Sequence, residues 1–170
     1  MKRLVVFLAV AGLMVAGLSA AQDEGPNSFG LYFDEPGDDC FMMNGGNFAF
    51  GSAVSVHMVL AGPAATEVRG FECQFASNPA GSAVFTGTSY PVNAINIGEG
   101  PEDVIVGFGD PVFPNACGHV YLGDLNFLVF SPDGFEILCG PAEPSSIAGE
   151  VAFLDGDENI IPMEFSTDAD

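Results

Sequence analysis

The stretch EVRGFECQF, residues 67–75, decides the fold of this chain. In an extended backbone, successive side chains point to opposite faces of the strand. One face of this stretch would then carry four side chains: Arg69, Phe71, Cys73 and Phe75. The pattern predicts a strand with one face in a hydrophobic core and a cysteine on the buried side.

Other apolar segments repeat this alternation, and turn residues separate them. The chain's 22 glycines and 12 prolines are spread along its length, as expected for short strands joined by tight turns. No segment after residue 21 shows a helical period. We therefore predict an all-β fold of about nine strands in a two-sheet antiparallel sandwich. The predicted strands, besides the first stretch, are 28–34, 49–60, 83–90, 94–97, 103–108, 119–130, 135–139, 150–154 and 160–165.

Alternation also predicts which side chains face the core within these segments. In the segment 119–130, Tyr121 is expected on the core side with Leu125 and Phe127. His57 alternates with buried positions of its own segment, so we expect it on the surface.

The first 21 residues have the pattern of a secretory signal peptide. Lys2 and Arg3 precede an apolar run, and small residues at 19–21 form a cleavage site. An uncleaved anchor is the alternative, but the apolar run is short for a membrane span. We expect a secreted protein: signal peptide 1–21, polar lead 22–27, β-sandwich 28–165 and acidic tail 166–170. No transmembrane segment is expected in the mature chain.

Acidic residues dominate the charge of the chain. The sequence holds 23 Asp and Glu against 3 Lys and Arg, and only Arg69 of those three lies beyond the signal peptide. Such a surface excludes nucleic acid as a direct partner, because binding phosphates requires basic residues. Three explanations of the acidity stay open: solubility of a secreted surface in saline water, binding of divalent cations, and attraction to a basic partner. Acids such as Glu102 and Asp103 are expected to be solvated loop charges.

Four cysteines follow the signal peptide: Cys40, Cys73, Cys117 and Cys139. An even number of cysteines behind an export signal predicts two disulfides in an oxidising compartment. A zinc site is the rival hypothesis, but the sequence has no C-x-x-C pair and the spacings are long. Spacing alone leaves all three possible pairings open.

The order and character of the strands resemble a cohesin-type module, a nine-stranded jelly-roll sandwich also seen in some carbohydrate-binding modules. Four segments carry the resemblance: 54–60, 68–75, 122–130 and 151–163. The last of them holds an acidic turn followed by an apolar residue and proline, as cohesins typically do near their ends. The chain departs from cohesins in its cysteine set. The family's strand order implies a Cys73–Cys139 pairing, which leaves Cys40–Cys117.

The turn after the ninth predicted strand is a candidate calcium site. Asp155, Asp157 and Asn159 have the oxygen-ligand spacing that opens a calcium loop. Ile160 and Ser166 replace the glycine and the bidentate glutamate of an EF-hand loop. An ordinary acidic turn is therefore the competing interpretation. No cofactor is expected to be required, and calcium is the one candidate.

The sequence offers little for catalysis or for sugar binding. His57 and His119 are the only histidines, and no nucleophile elbow or phosphate-binding glycine loop is present. We therefore predict no enzymatic activity. Sugar-binding modules use exposed aromatic platforms, and this chain has no Trp; Tyr32 and Tyr90 are the candidates that could face outward.

These patterns together favour a secreted, non-catalytic module that binds an unidentified extracellular protein or has a structural role at the cell surface. A carbohydrate-binding module with a polysaccharide partner is the alternative. The sequence names neither the ligand nor the binding residues.

Overall fold

The computed structural model describes residues 25–33, 48–100, 102–131 and 134–165. These ranges form ten β-strands and no helix, which confirms the predicted all-β class. The strands are β1 Ser28–Tyr32, β2 Ala53–Ala61, β3 Val68–Asn78, β4 Ala83–Ser89, β5 Ala94–Asn96, β6 Asp103–Val112, β7 His119–Val129, β8 Glu136–Gly140, β9 Val151–Asp155 and β10 Ile160–Phe165. A helix long and apolar enough to span the bilayer is not found in the described ranges.

The strands form one hydrogen-bonded path that curls into two facing layers, in the order β4-β7-β2-β1-β10-β9-β3-β6-β5. Strand β8 pairs with β3 beside this path. Strands β4, β7, β2 and β1 form one layer, and β9, β3, β6, β5 and β8 form the other. Strand β10 joins the layers: it runs antiparallel to β9 and parallel to β1, and every other pairing is antiparallel.

Strand β3, which holds the stretch quoted first, organises the second layer. It pairs with β6 along one edge. Its other edge serves two strands in turn: residues up to Glu72 pair with β9, and residues from Gln74 onward pair with β8. Eleven residues give β3 the length for both partners. The ten strands correspond one to one to the ten segments predicted from the sequence.

The core lies between the layers and is rich in phenylalanine. Phe75 of β3 is 2% exposed, and its ring centroid lies 5.0 Å from that of Phe85 and 5.9 Å from that of Phe127. Phe71 and Cys73 are buried on the same inward face of β3, as the alternation predicted. Each such phenylalanine contributes about 1.5–3 kcal/mol through removal of its apolar surface from water.

A β-bulge corrects the predicted facing of two residues at the start of β3. The register with both β6 and β9 shifts between Val68 and Gly70. Val68 consequently faces inward and is buried, and Arg69 is partly exposed. The prediction that Arg69 shares the face of Phe71 was wrong, because a bulge adds one residue to the alternation.

A second bulge reverses the predicted position of Tyr121 in β7. The register between β2 and β7 shifts at Met58 and Val59, so that Tyr121 and Gly123 pair with consecutive residues of β2. Leu122 is buried in the core instead, and Tyr121 stands on the outward side, half-buried. Gly123 has φ of 140°, and a Cβ there would collide with the carbonyl oxygen of Ser89.

The two ends of the described sandwich meet. Ser28 of β1 is opposite Glu164 of β10 in the parallel pairing, and the Glu164 N–H donates to the carbonyl oxygen of Asn27 at 3.0 Å. The predicted signal peptide, the tail 166–170 and the loop that contains Cys40 lie outside the described residues and stay predictions.

Candidate interaction surfaces

The outward side of the second layer carries a row of aliphatic side chains, which we call the isoleucine face: Ile95, Ile97, Ile105, Leu154 and Ile160. Ile95 and Ile97 are 72% and 70% exposed, and Ile160 is 49% exposed. Alternation places Ile105 and Leu154 here, because Val104, Val106 and Phe153 next to them in sequence belong to the core. So many exposed branched side chains on one sheet face are typical of a surface that contacts another molecule.

Two glycines open a groove in the isoleucine face. Gly70 pairs with Gly107 of β6 on one side and with Leu154 of β9 on the other, so two adjacent positions near the centre of the sheet carry no side chain. The groove has a volume of about 200 Å³ and is walled by Ile105 and Ile160 among others. A Cβ at Gly70 would collide with the carbonyl oxygen of Val106, which is a reason for glycine at this position.

The segment 141–150, which we call the strap, forms one wall of this groove. The backbone N–H and the hydroxyl of Ser146 donate to the two carboxylate oxygens of Glu72 at 2.6 and 2.7 Å. The N–H of Glu143 donates to Asp103 at 3.2 Å. Glu72 and Asp103 are each 5% exposed, so the strap hydrogen bonds offset the cost of removing two carboxylates from water. The expectation that Asp103 is a solvated loop charge was wrong.

Asp124 is the centre of a polar cluster on the outward side of the other layer. Its carboxylate accepts hydrogen bonds from His57 Nδ1 at 2.6 Å, from Ser89 Oγ at 2.7 Å and from the Tyr121 hydroxyl. Desolvation alone would raise the pKa of Asp124, but the hydrogen bonds from Tyr121, Ser89 and His57 outweigh it and lower that pKa. The prediction that His57 lies on the surface was wrong: it is on the outward side of β2 but only 7% exposed, because this cluster covers it.

The order of groups in this cluster differs from that of a hydrolytic triad. In a triad the imidazole lies between the carboxylate and the hydroxyl that it deprotonates. Here the Ser89 hydroxyl donates to Asp124 itself, as does His57. The carboxylate is therefore an acceptor shared by three donors, an arrangement that stabilises the sheet surface and does not activate a nucleophile.

Cys73 and Cys139 lie together between the layers as free thiols. Cys139 is opposite Phe75 in the β3–β8 pairing, so Cys73 is its diagonal neighbour on the inward face. The hydrogen bond with Cys139 and burial raise the pKa of the Cys73 thiol well above its ordinary value. Cys139 also lines a cleft of about 290 Å³ between β1 and β8. The predicted Cys73–Cys139 bond stays a prediction, since both thiols are free in this structure.

The second predicted pairing concerns Cys117 and Cys40. Cys117, in the turn before β7, is disulfide-bonded. Cys40 lies outside the described residues, so the identity of the Cys40–Cys117 pair also stays a prediction.

The candidate calcium turn is closed by its own hydrogen bonds. Asp155 accepts from the N–H groups of Asp157 and Asn159 at 2.9 and 2.8 Å, and from the Asn159 side-chain amide at 3.0 Å. The hydrogen bonds from Asn159 lower the pKa of Asp155. In the described part of the chain no group of three or more His, Cys, Asp or Glu side chains is placed to hold a metal ion. Calcium binding by Asp155, Asp157 and Asn159 remains a hypothesis.

The tyrosines do not form the sugar platform that the sequence allowed. Tyr32 is 1% exposed and its ring lies over Gly30, and Tyr90 is half-buried and packs against Phe108. The exposed aromatic side chains are phenylalanines, at positions that the alternation of strands did not single out.

Comparison with known proteins identifies the architecture. The chain matches no protein-family model and no curated protein sequence. Solved structures of cohesin modules superpose on it. One is the sixth cohesin of scaffoldin B from Acetivibrio cellulolyticus, solved with a Cel5 dockerin variant, with a TM-score of 0.52 and 14% identity over 83% of this chain and 94% of that one. The fold is cohesin-like.

The second cohesin neighbour is the module of a family 33 glycoside hydrolase from Clostridium perfringens. It superposes with a TM-score of 0.50 and 13% identity, over 82% of this chain and 90% of that chain. At these identities the cohesin likeness establishes the fold and not a ligand. It confirms the resemblance predicted from the four sequence segments.

Sequence reasoning missed two parts of the surface of this cohesin-like domain. The sequence shows the strap only as a polar loop. Its contact with the sheet joins Ser146 to Glu72, which are 74 residues apart in the chain. The isoleucine face has a sequence signal: Ile95 of β5 and Ile105 of β6 are isoleucines at positions where a solvated strand has polar residues.

Proposed function

We propose that this chain is a secreted, non-catalytic module that binds a protein partner through the isoleucine face. The observation that carries the proposal is the exposure of Ile95 and Ile97 beside the groove of Gly70. Burying these side chains against a partner would remove most of their apolar area from water, at about 25 cal/mol per Å². The A. cellulolyticus neighbour, which shares the fold, was solved with a dockerin bound, and this supports a protein as the partner class.

The surroundings of the isoleucine face indicate how the partner is recognised. The strap and the glycine floor give the groove a defined shape, so we expect a partner that inserts apolar side chains between Ile105 and Ile160. The chain's acidity favours a partner with basic residues at the rim of the contact, where charge accelerates association.

The test is a reconstituted binding measurement. The mature chain is immobilised, proteins secreted by the source organism are passed over it, and each retained protein is made recombinantly for titration. The double variant Ile95→Asp/Ile97→Asp is expected to weaken binding at least about thirtyfold, the effect of losing a hot spot of about 2 kcal/mol. Val84→Asp, at an exposed position of the other layer, is the matched control. Equal loss in both variants, or loss only in Val84→Asp, would contradict the proposed face.

A further inference from the structure

The outward side of β2, β4 and β7, which we call the neutral face, is nearly free of charge in a strongly acidic chain. Strands β2 and β4 contain no Asp, Glu, Lys or Arg, and β7 contains Asp124 alone. By contrast, β3, β6, β8, β9 and β10 each carry at least one acid. Asp124 is held by three hydrogen-bond donors, so even this carboxylate is engaged within the protein.

One end of the neutral face presents two phenylalanine rings to solvent. Phe50 and Phe130 are 66% and 44% exposed, and their ring centroids lie 6.0 Å apart at an interplanar angle of 84°. The backbone beneath them is fixed by hydrogen bonds: Gly51 N–H donates to the Val129 carbonyl at 2.8 Å, and Phe130 N–H donates to the Ser82 carbonyl at 2.8 Å. The rings are therefore displayed on a rigid support, which lowers the entropy cost of binding.

Neutral polar groups continue from the rings along β7. Asn126 lies four residues before Phe130 on the same side of the strand, about 13 Å away at the usual rise per residue. Its side-chain oxygen accepts from Ser55 Oγ at 2.8 Å, and its carbonyl oxygen accepts from Thr86 Oγ1 at 3.0 Å. Ser55 and Thr86 are exposed, and the Asn126 side-chain N–H groups bind no described residue. Amide and hydroxyl groups are thus available beside an apolar platform.

We propose that the neutral face binds a neutral polysaccharide, which lies along β7 with one apolar sugar face stacked on the more exposed ring of Phe50, beside the nearly perpendicular ring of Phe130, and with its hydroxyls on Asn126, Ser55 and Thr86. Sugars present an apolar face and a hydroxyl edge, and this surface offers the complement of both. The face carries one carboxylate, Asp124, which is already engaged by three donors of the protein, and this fits an uncharged ligand. A second copy of the chain is disfavoured as the occupant, because two molecules of formal net charge −20 repel each other. The sugar would occupy the opposite layer from the isoleucine face, so the proposal is independent of the proposed protein partner.

The experiment is a depletion assay of the mature chain with insoluble neutral polysaccharides: cellulose, chitin, xylan and mannan. We expect retention on at least one of them. Phe50→Ala/Phe130→Ala and Asn126→Ala are each expected to weaken retention about tenfold or more, corresponding to about 1.4 kcal/mol. Phe113→Ala is the matched control, because Phe113 is a 60% exposed phenylalanine outside the neutral face. Circular dichroism and melting curves establish that the variants fold.

No retention on any of the four polysaccharides, or equal weakening by Phe113→Ala, would overturn the proposal. Ile95→Asp/Ile97→Asp should leave sugar retention unchanged. Retention lost only in that variant would place the sugar on the isoleucine face and would also overturn it.

Discussion

Cys139 is the diagonal cross-strand neighbour of Cys73, and the two thiols share a hydrogen bond in the core between the layers. Diagonal neighbours have Cα atoms about 7–8 Å apart, slightly beyond the usual span of about 4.4–6.8 Å for a disulfide. A small shift between β3 and β8 is therefore enough to bring the sulfur atoms to bonding distance.

We predict that Cys73 and Cys139 form a disulfide when the chain folds with glutathione disulfide present. The two thiols lose two protons and two electrons, and one glutathione disulfide becomes two glutathione molecules. The bond is expected to stabilise the fold by up to about 4 kcal/mol through the entropy of the closed loop. Peptide mapping by mass spectrometry checks the connection. Cys139→Ser is the control, and alkylation of both thiols in oxidised, then unfolded, wild type would contradict the prediction.

Phe75→Ala is expected to lower the free energy of unfolding by about 3–5 kcal/mol, because it removes a buried ring from the contacts with Phe85 and Phe127. Phe113→Ala makes the same chemical change at an exposed position and should cost less than about 0.5 kcal/mol. Urea unfolding monitored by circular dichroism measures both. Equal losses would mean that Phe75 is not part of the core.

Gly70→Ala tests the floor of the groove. The added Cβ would meet the carbonyl oxygen of Val106, so we expect a loss of about 1–3 kcal/mol in stability from overpacking. Gly107→Ala adds the same atom on the neighbouring strand, where nothing lies within 4 Å, and should be neutral or slightly stabilising. Comparing the melting temperatures of the two variants distinguishes close packing at Gly70 from a general effect of replacing a strand glycine by alanine.

Asp124→Asn is expected to lower stability at neutral pH by about 1–3 kcal/mol, because charged acceptors form the stronger hydrogen bonds. The pKa of Asp124 is lower in the folded state than when unfolded, so its contribution is present above the unfolded pKa and disappears as pH falls through the folded pKa. The difference between wild type and variant should therefore shrink in strong acid. Asp110→Asn, at an exposed residue of β6, serves as control. A difference that stays constant with pH would contradict the role of the charge.

The turn at Asp155 is expected to hold without calcium, since its carboxylate already accepts three hydrogen bonds from the turn. A chelator should leave the melting temperature unchanged, and Asp155→Ala should lower it. If added calcium instead raises the melting temperature and Asp157→Ala abolishes that rise, the cation site predicted from the sequence is supported.

The alternation of side chains predicted the class and the facing of most strands, because burial of one sheet face leaves a period of two in the sequence. It failed where β-bulges insert a residue, at Val68–Gly70 and at Tyr121–Gly123, since a bulge has no fixed sequence signal. The burial of Asp103 and Glu72 could not be predicted from the sequence either. It depends on the strap, whose position follows from tertiary contacts with residues far away in the chain.

The hydrogen bond between Asn27 and Glu164 has a consequence for how the domain can be attached to other molecules. Gly25 and Phe165, the first and last described residues, lie at the same end of the sandwich, so a tether attached at either of them would hold the domain in nearly the same orientation. A short peptide joining the two ends, with the chain reopened at the exposed Gly81, should give a circular permutant that keeps every strand pairing.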